Sequence, residues 1–267
     1  ILAFGSNTFE GSSEGLWWYL TPDFSKITVK VILAALGQIF FSVGIALTAG
    51  FVFGSYLDKK NSDIPGSVGI VVFFDTAIAI LAGFVIFPAL FAFGIEPNAG
   101  PGLLFVTMAS LFKEIPLGMF FGGLFFFLVF IAAFTSIIGL LEAVISTAMD
   151  SFKISRTKSV ILCVLLTFSL CVPNILGFSI WSDIQIFELS IFGFFDYVSA
   201  IILLPLGGLL ISVYVAYGWG FDKFMTETNE GSGKLKVTPL WGPVMKFIIP
   251  VIILVILIAG LLGDNLA

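Results

Sequence analysis

The chain has 267 residues, of which 59% are hydrophobic and 11% charged, with a mean hydropathy of +1.14 and a net charge of −5. Soluble domains carry about 25% charged residues, so the composition predicts a polytopic membrane protein. The absence of histidine excludes Ser-His-Asp catalysis and histidine-ligated zinc. An acidic chain without a basic cluster argues against nucleic acid as a partner. No metalloprotease or nucleophile-elbow motif is present, so we expect that the protein is not an enzyme.

Apolar stretches long enough to cross a bilayer recur along the chain. A helix needs about 20 apolar residues to span the hydrocarbon core. Residues 1–30 precede the first stretch, 96–116 predict a short surface helix between Pro and Gly residues, and 220–242 form a polar loop before the final segment, 243–267. The sequence therefore predicts an all-α polytopic membrane protein with six transmembrane helices. These are 31–57, 67–94, 117–149, 159–178, 191–219 and 243–262.

The positive charges indicate the orientation of these spans. Nine of the twelve basic residues lie in or beside the loops 58–66, 150–158 and 220–242. Loops rich in Lys and Arg face the cytoplasm. Both ends of the chain are therefore predicted to face outward.

Three acids lie inside the predicted spans: Asp75, Glu142 and Asp196. A charged side chain at the bilayer centre costs about 2.5–3.5 kcal/mol and is a candidate functional residue by default. The spans offer no basic partner, because only Lys246 lies in one and it is near an end. We expect each acid to be protonated, to bind a small cation or to pair with residues outside this chain. For Asp75 and Glu142, a protonated acid hydrogen-bonded between helices is the alternative.

Thr135 and Ser136 follow Ala132 by one helical turn. On a helix the Ala132 carbonyl points toward side chains three and four residues later. If the turn loosens, three oxygens converge in a way that suits a hard cation such as sodium. The alternative is that both hydroxyls bond back to the preceding turn, and spacing alone favours this second interpretation.

Several long stretches of the chain resemble the neurotransmitter:sodium symporter family, and specifically its bacterial amino-acid transporters of the LeuT type. The matching stretches, in the family's order and spacing, are LGQIFFSVGIALTAGFVFGSYL, FFDTAIAILAGFVIFPALFAFG, GPGLLFVTMASLF, FIAAFTSIIGLLEAVIS and FFDYVSAIILLPLGGLLISVY. The family core consists of two inverted five-helix repeats with broken helices at the midplane. The resemblance implies that the six spans are the sixth to eleventh helices. Residues 31–219 are then the second repeat, 1–30 are the end of the fifth helix and the following loop, and the first repeat is missing.

The resemblance also implies sodium as the coupling ion. Its ligands would be the hydroxyl of Ser42 in the broken sixth helix, Asp75, the carbonyl of Ala132, and the hydroxyls of Thr135 and Ser136. Asp75 stands where many relatives have a sodium-ligating asparagine. A fixed carboxylate there could balance the sodium charge, which implies that chloride is not required.

Substrate contacts implied by the resemblance come from the unwound sixth helix and the middle of the eighth. Here these positions are Phe41, Gly44, Leu47, Ser136 and Leu140. Because most are apolar and Gly44 leaves room, a hydrophobic or aromatic amino acid is the implied substrate.

Two gates complete the resemblance. Asp196 matches the extracellular gate acid, and Tyr56 and Asp150 match the cytoplasmic gate; their arginine partners would lie on the missing N-terminal helices of the same transporter. Glu142 matches a position to which we assign no role. The implied function is sodium-coupled symport of an amino acid by alternating access, in a bilayer of the bacterial plasma (inner) membrane type. The alternative is a truncated or structural membrane subunit without transport of its own.

Overall fold

The computed structural model describes residues 11–44, 49–58, 62–92, 94, 105, 108–114, 117–231 and 233–262. Most of these residues are helical. In chain order the helices are α1 (Ser12–Leu20), α2 (Val29–Ser42), α3 (Ala49–Ser55), α4 (Ile64–Ala92), α5 (Met108–Glu114), α6 (Gly118–Phe152), α7 (Arg156–Gly177), α8 (Ile191–Asn229) and α9 (Trp241–Leu262). A short 3-10 turn, Phe24–Lys26, follows α1. The short helix expected within residues 96–116 is present as α5.

Within the described residues, five helices are long and apolar enough to cross a membrane: α4, α6, α7, α8 and α9. The 18-residue windows that identify them have mean hydropathies of 2.3 to 2.9. Only 6–17% of each window is buried inside the chain, so most of their apolar side chains face outward, as lipid-facing residues do. These helices correspond to the second to sixth predicted spans and begin and end within three residues of the predicted limits, except that α8 extends to Asn229.

The first predicted span, 31–57, is not one continuous helix. α2 has 14 residues and ends at Ser42, and α3 begins at Ala49. Gly44 follows with φ +67°, a left-handed conformation that glycine adopts without steric cost and that commonly ends helices. A discontinuous helix at this point agrees with the family resemblance, while the count of six spanning helices stays a prediction.

Two local features differ from the sequence prediction. Residues 221–229, predicted as loop, are helical; they follow Gly220, whose φ of +92° interrupts the regular helix, and Phe221 at their start is buried with its ring 3.4 Å from the position of a Cβ at Gly242. The fold is all-α, as predicted, apart from one short hairpin among the described residues. The strands β1 (Gln185–Ile186) and β2 (Leu189–Ser190) pair antiparallel across a turn whose two central residues have positive φ.

Contacts divide the chain into two compact units, the first formed by residues 1–26 and 72–137. Aromatic packing joins α1 to the C-terminal half of α4 in this unit. The Tyr19 ring stacks on Phe87 with centroids 4.8 Å apart, and Trp18 packs against the same ring at 5.1 Å. A Cβ added at Gly83 would overlap the Tyr19 ring, so this glycine lets α1 approach α4 closely.

The second unit comprises residues 27–71 and 138–267. Its main apolar cluster joins α2, α8 and α9 through Phe40, Leu204, Ile253 and Ile256. In addition, the Tyr217 hydroxyl donates to the Lys246 carbonyl at 2.7 Å, which ties α8 to α9.

A smaller cluster joins α6 to α7 through Ile145, Ala148 and Cys163. The buried Ser159 hydroxyl donates to the Ile145 carbonyl at 2.9 Å. This packing fixes the start of α7 against the end of α6. Cys163 is a buried packing residue.

Candidate functional site

Three oxygens of α6 lie together at one turn of the helix. The Thr135 hydroxyl lies 3.0 Å from the Ala132 carbonyl and 3.1 Å from the Ile131 carbonyl, and the Ser136 hydroxyl donates to the Ala132 carbonyl at 3.0 Å. α6 is continuous through this turn, so the hydroxyls bond back to the preceding turn, as spacing alone favoured. The same three oxygens are hard ligands of the kind that a small cation prefers.

The two remaining predicted sodium ligands lie on other helices. Asp75 is half-buried in α4 and, like the α6 oxygens, belongs to the first compact unit. Ser42 belongs to the second unit and is the last residue of α2. At this helix end the Val43 and Gly44 amides donate to the Ile39 and Phe41 carbonyls at 3.0 and 3.2 Å.

A cavity of about 750 Å³ lies between α2, α8 and α9 of the second unit. Its wall is mostly apolar and includes Phe41, a candidate substrate contact, and Asp196, the candidate extracellular gate acid. Lys30 and Gln38 are the other polar side chains on its wall. The structure thus brings a predicted substrate residue and a predicted gate residue to one cavity.

The other candidate substrate residues are distributed along the chain. Leu140 lies on α6 one turn beyond Ser136 and is 41% exposed. Gly44 ends α2 in its left-handed conformation. Leu47 lies outside the described residues.

Glu142 has a basic partner in this chain, contrary to the sequence prediction. The Arg156 guanidinium donates from Nη1 to Glu142 Oε1 at 2.9 Å and from Nη2 to Oε2 at 2.7 Å. The Tyr56 hydroxyl also donates to Oε1, at 3.0 Å. Such a planar, two-pronged contact is the strongest ordinary arrangement of an arginine and a carboxylate.

The sequence prediction is wrong here because it places Arg156 only as a charge of the loop 150–158. It is the first residue of α7, and its long side chain reaches along α6 while its backbone stays at the helix start. The sequence feature that could have indicated this ion pair is a Glu and an Arg 14 positions apart on either side of a short turn. That turn reverses the chain at Lys153, whose φ is +55°.

α3 lies along the same stretch of α6. The Phe53 ring would be 3.5 Å from a Cβ added at Gly139, and Tyr56 reaches Glu142 three residues further along. The predicted cytoplasmic gate residue Tyr56 is therefore held by Glu142. Asp150, the other residue assigned to that gate, is exposed near the end of α6.

Comparison with known proteins agrees with this architecture. Residues 1–264 match the sequence model of the Sodium:neurotransmitter symporter family. The chain is 40% identical over 256 residues to an uncharacterized sodium-dependent transporter of Haemophilus influenzae, covering 95% of this chain and 55% of the relative. It is 33% identical over 258 residues to the uncharacterized sodium-dependent transporter YhdH of Bacillus subtilis, covering 96% of this chain and 57% of the relative.

A solved structure, that of MhsT in complex with L-phenylalanine, superposes with a TM-score of 0.85 at 35% identity. The match covers 97% of this chain and 58% of MhsT, a protein with the LeuT fold. This chain spans about half the length of the curated relatives that it matches. Its apolar helices and its relatives identify it as an integral membrane protein of a transporter family rather than an enzyme family. The chain belongs to the sodium:neurotransmitter symporter family.

Proposed function

We propose that the complete protein containing this chain is a symporter that couples the entry of an amino acid to sodium. The observation that carries this proposal is the group of three oxygens formed by Ala132, Thr135 and Ser136 in the middle of an apolar helix. Hydroxyl and carbonyl oxygens without a formal charge suit a monovalent cation that must bind and leave in every cycle. The sodium-dependent relatives support the choice of ion.

Ser42 and Asp75 complete the proposed sodium ligands. Asp75 is a half-buried carboxylate inside the spanning helix α4, and its negative charge would offset that of sodium. On this basis transport requires no chloride. Replacing chloride with gluconate should leave uptake unchanged, whereas Asp75→Asn should make uptake depend on chloride. Loss of uptake by the unaltered protein in gluconate would contradict this assignment.

The proposed substrate is a hydrophobic or aromatic amino acid that contacts Phe41, Gly44, Leu47, Ser136 and Leu140. The apolar wall of the cavity at Phe41 supports this choice, as does the phenylalanine named for the MhsT structure. Binding energy would come from burying the side chain of the substrate, at about 25 cal/mol per Å² of apolar surface.

The proposed gates are Asp196 on the outer side and Tyr56 with Asp150 on the inner side. Their partners would be basic residues of the N-terminal helices of the same transporter. In alternating access, one gate opens while the other is closed around a site at the midplane. The membrane is proposed to be a bacterial inner membrane, with both ends of this chain on its outer side.

The proposal is tested by uptake of radiolabelled L-phenylalanine and L-leucine into liposomes that contain the complete protein. A sodium gradient directed inward should drive saturable uptake, and an equal potassium gradient should not. Currents that rise linearly with voltage and do not saturate would indicate a channel. If neither uptake nor sodium-dependent amino-acid binding occurs, the protein is a structural membrane subunit, and the proposal is wrong.

A further inference from the structure

Residues 229–231 and 233–237, between α8 and α9, form a loop that is closed by its own hydrogen bonds. The Asn229 side chain accepts from the Val237 amide and donates to the Val237 carbonyl, each at 2.8 Å. The Lys236 ammonium group donates to the Asn229 and Gly231 carbonyls at 2.7 and 2.8 Å. These four bonds give the loop a fixed shape, and we call it the clasp.

The clasp rests on the segment that begins α4. A Cβ added at Gly231 would overlap the Ser62 carbonyl, and one added at Gly233 would overlap the Asp63 carboxylate. Asp63 in turn caps α4 by accepting from the Gly66 amide at 2.9 Å. The clasp therefore contacts this segment directly, through the Ser62 backbone at Gly231 and through the Asp63 side chain at Gly233, and at Gly231 the backbone leaves no room for a side chain.

Ser62 and Asp63 lie on the connection between α3 and α4. The Ser62 amide donates to the Asp58 carbonyl at 2.9 Å, and Asp58 lies two residues after Tyr56. Tyr56 then bonds to Glu142 at 3.0 Å. Contacts thus lead from the clasp to Asp58, and two residues of chain lead from there to Tyr56, which holds the end of α3 against α6.

We infer that the clasp is a positioning element that keeps Tyr56 on Glu142 by holding Ser62 and Asp63. Loosening the clasp should release α3 from α6 and so favour opening at this predicted cytoplasmic end. This inference rests on the proposed function only for its consequence in transport. That the clasp holds α3 against α6 does not depend on which substrate the protein carries.

The test is hydrogen exchange measured by mass spectrometry on the complete protein, with peptides that cover residues 49–58. Lys236→Met removes both bonds from the ammonium group, and Gly231→Ala forces a methyl group into the Ser62 backbone. Each should speed exchange in residues 49–58 by about fivefold or more, the lower end of ordinary coupling between sites. Lys236→Arg keeps a charged hydrogen-bond donor, so exchange in residues 49–58 should stay as slow in this variant as in the unaltered protein.

Matched controls exist for both variants. Lys234→Met removes the same charge from the exposed neighbouring position, and Gly69→Ala adds a methyl group in α4 where a Cβ meets nothing within 4 Å. Neither should change exchange in residues 49–58 by as much as about twofold, since surface changes of this kind are nearly neutral. If Lys236→Met and Gly231→Ala accelerate exchange only within the clasp itself, the inference is wrong.

A second variant tests the route through Tyr56. Tyr56→Phe removes the hydroxyl that donates to Glu142, so it should release α3 without touching the clasp. If the clasp acts through this bond, Lys236→Met combined with Tyr56→Phe should accelerate exchange no more than Tyr56→Phe alone. If the double variant instead accelerates exchange by the product of the two single effects, the clasp does not act through the Tyr56 hydrogen bond. Absence of sodium-driven uptake by the unaltered protein would instead refute the proposed function, and the exchange results would still decide the role of the clasp.

Discussion

The hydroxyls of Thr135 and Ser136 can be removed with little change in shape, by Thr135→Val and Ser136→Ala. Each bonds back to a carbonyl of the preceding turn at 3.0–3.1 Å, and such bonds slightly destabilise or bend a helix. Folding stability without sodium should therefore stay nearly constant. A hydrogen bond or similar polar contact to a charged group contributes about 1.5–3 kcal/mol. Losing one ligand should thus lower sodium affinity about 10- to 150-fold.

This difference can be measured without knowing the substrate. Sodium at 100 times its Kd stabilises the folded protein by about 2.7 kcal/mol through mass action. After a hundredfold loss of affinity, the same concentration equals the Kd and contributes only about 0.4 kcal/mol. Over the whole 10- to 150-fold range the contribution falls to about 1.4–0.3 kcal/mol, so the rise in Tm that sodium produces should be at least about halved in Thr135→Val and in Ser136→Ala.

The assay is thermal unfolding of the purified complete protein in sodium and in potassium at equal ionic strength. Thr147→Val is the matched control, because the Thr147 hydroxyl makes the same kind of bond, 2.8 Å to the Ala143 carbonyl, on the same helix. It should keep the full response to sodium. If all three variants respond to sodium as the unaltered protein does, the two hydroxyls are not ligands and their only role is the bond to the preceding turn.

Two further predictions concern packing and charge. Arg156→Leu should lower the Tm more than Lys158→Leu, because it leaves the Glu142 carboxylate in a spanning helix without its cation. Adding Glu142→Leu to Arg156→Leu should recover the lost Tm. Equal effects of Arg156→Leu and Lys158→Leu would contradict the pairing of Arg156 with Glu142. Gly83→Val should cost about 1–3 kcal/mol of stability, the usual cost of overpacking, because its side chain would overlap the Tyr19 ring. Adding Tyr19→Ala should recover part of that loss, and no recovery would show that the cost arises elsewhere.

The long helices could be predicted from the sequence because a membrane span is set by composition over about 20 residues. The second to sixth predicted spans correspond to long helices, since their mean hydropathy stays at 2.3 or above although three of them contain an acid. The extension of α8 to Asn229 could not be predicted in this way. Residues 221–229 are mostly polar, and the buried contact of Phe221 with Gly242 joins residues that apolar length does not relate.

The candidate site was predictable to the extent that it lies within one helix. The grouping of Ala132, Thr135 and Ser136 follows from helical geometry alone, and the structure has it. The pairing of Glu142 with Arg156 depends on how two helices meet across a turn and on where a flexible side chain points. Sequence spacing does not contain that information.

α3 connects these observations. Its described part, Ala49–Ser55, has seven residues, fewer than a helix needs for stability on its own, because nucleation is unfavourable and few bonds follow it. Its position must therefore come from its contacts, which among the described residues include Phe53 at Gly139 and Tyr56 at Glu142. The preceding helix ends at Ser42 beside the left-handed Gly44, so α3 does not inherit its direction from α2. A short helix with a break on one side and a hydrogen-bonded tyrosine on the other can change position by exchanging few contacts. The long helices, whose backbone bonds are satisfied internally throughout the membrane, cannot do so as readily. Movement at the predicted cytoplasmic end is therefore expected to begin at α3.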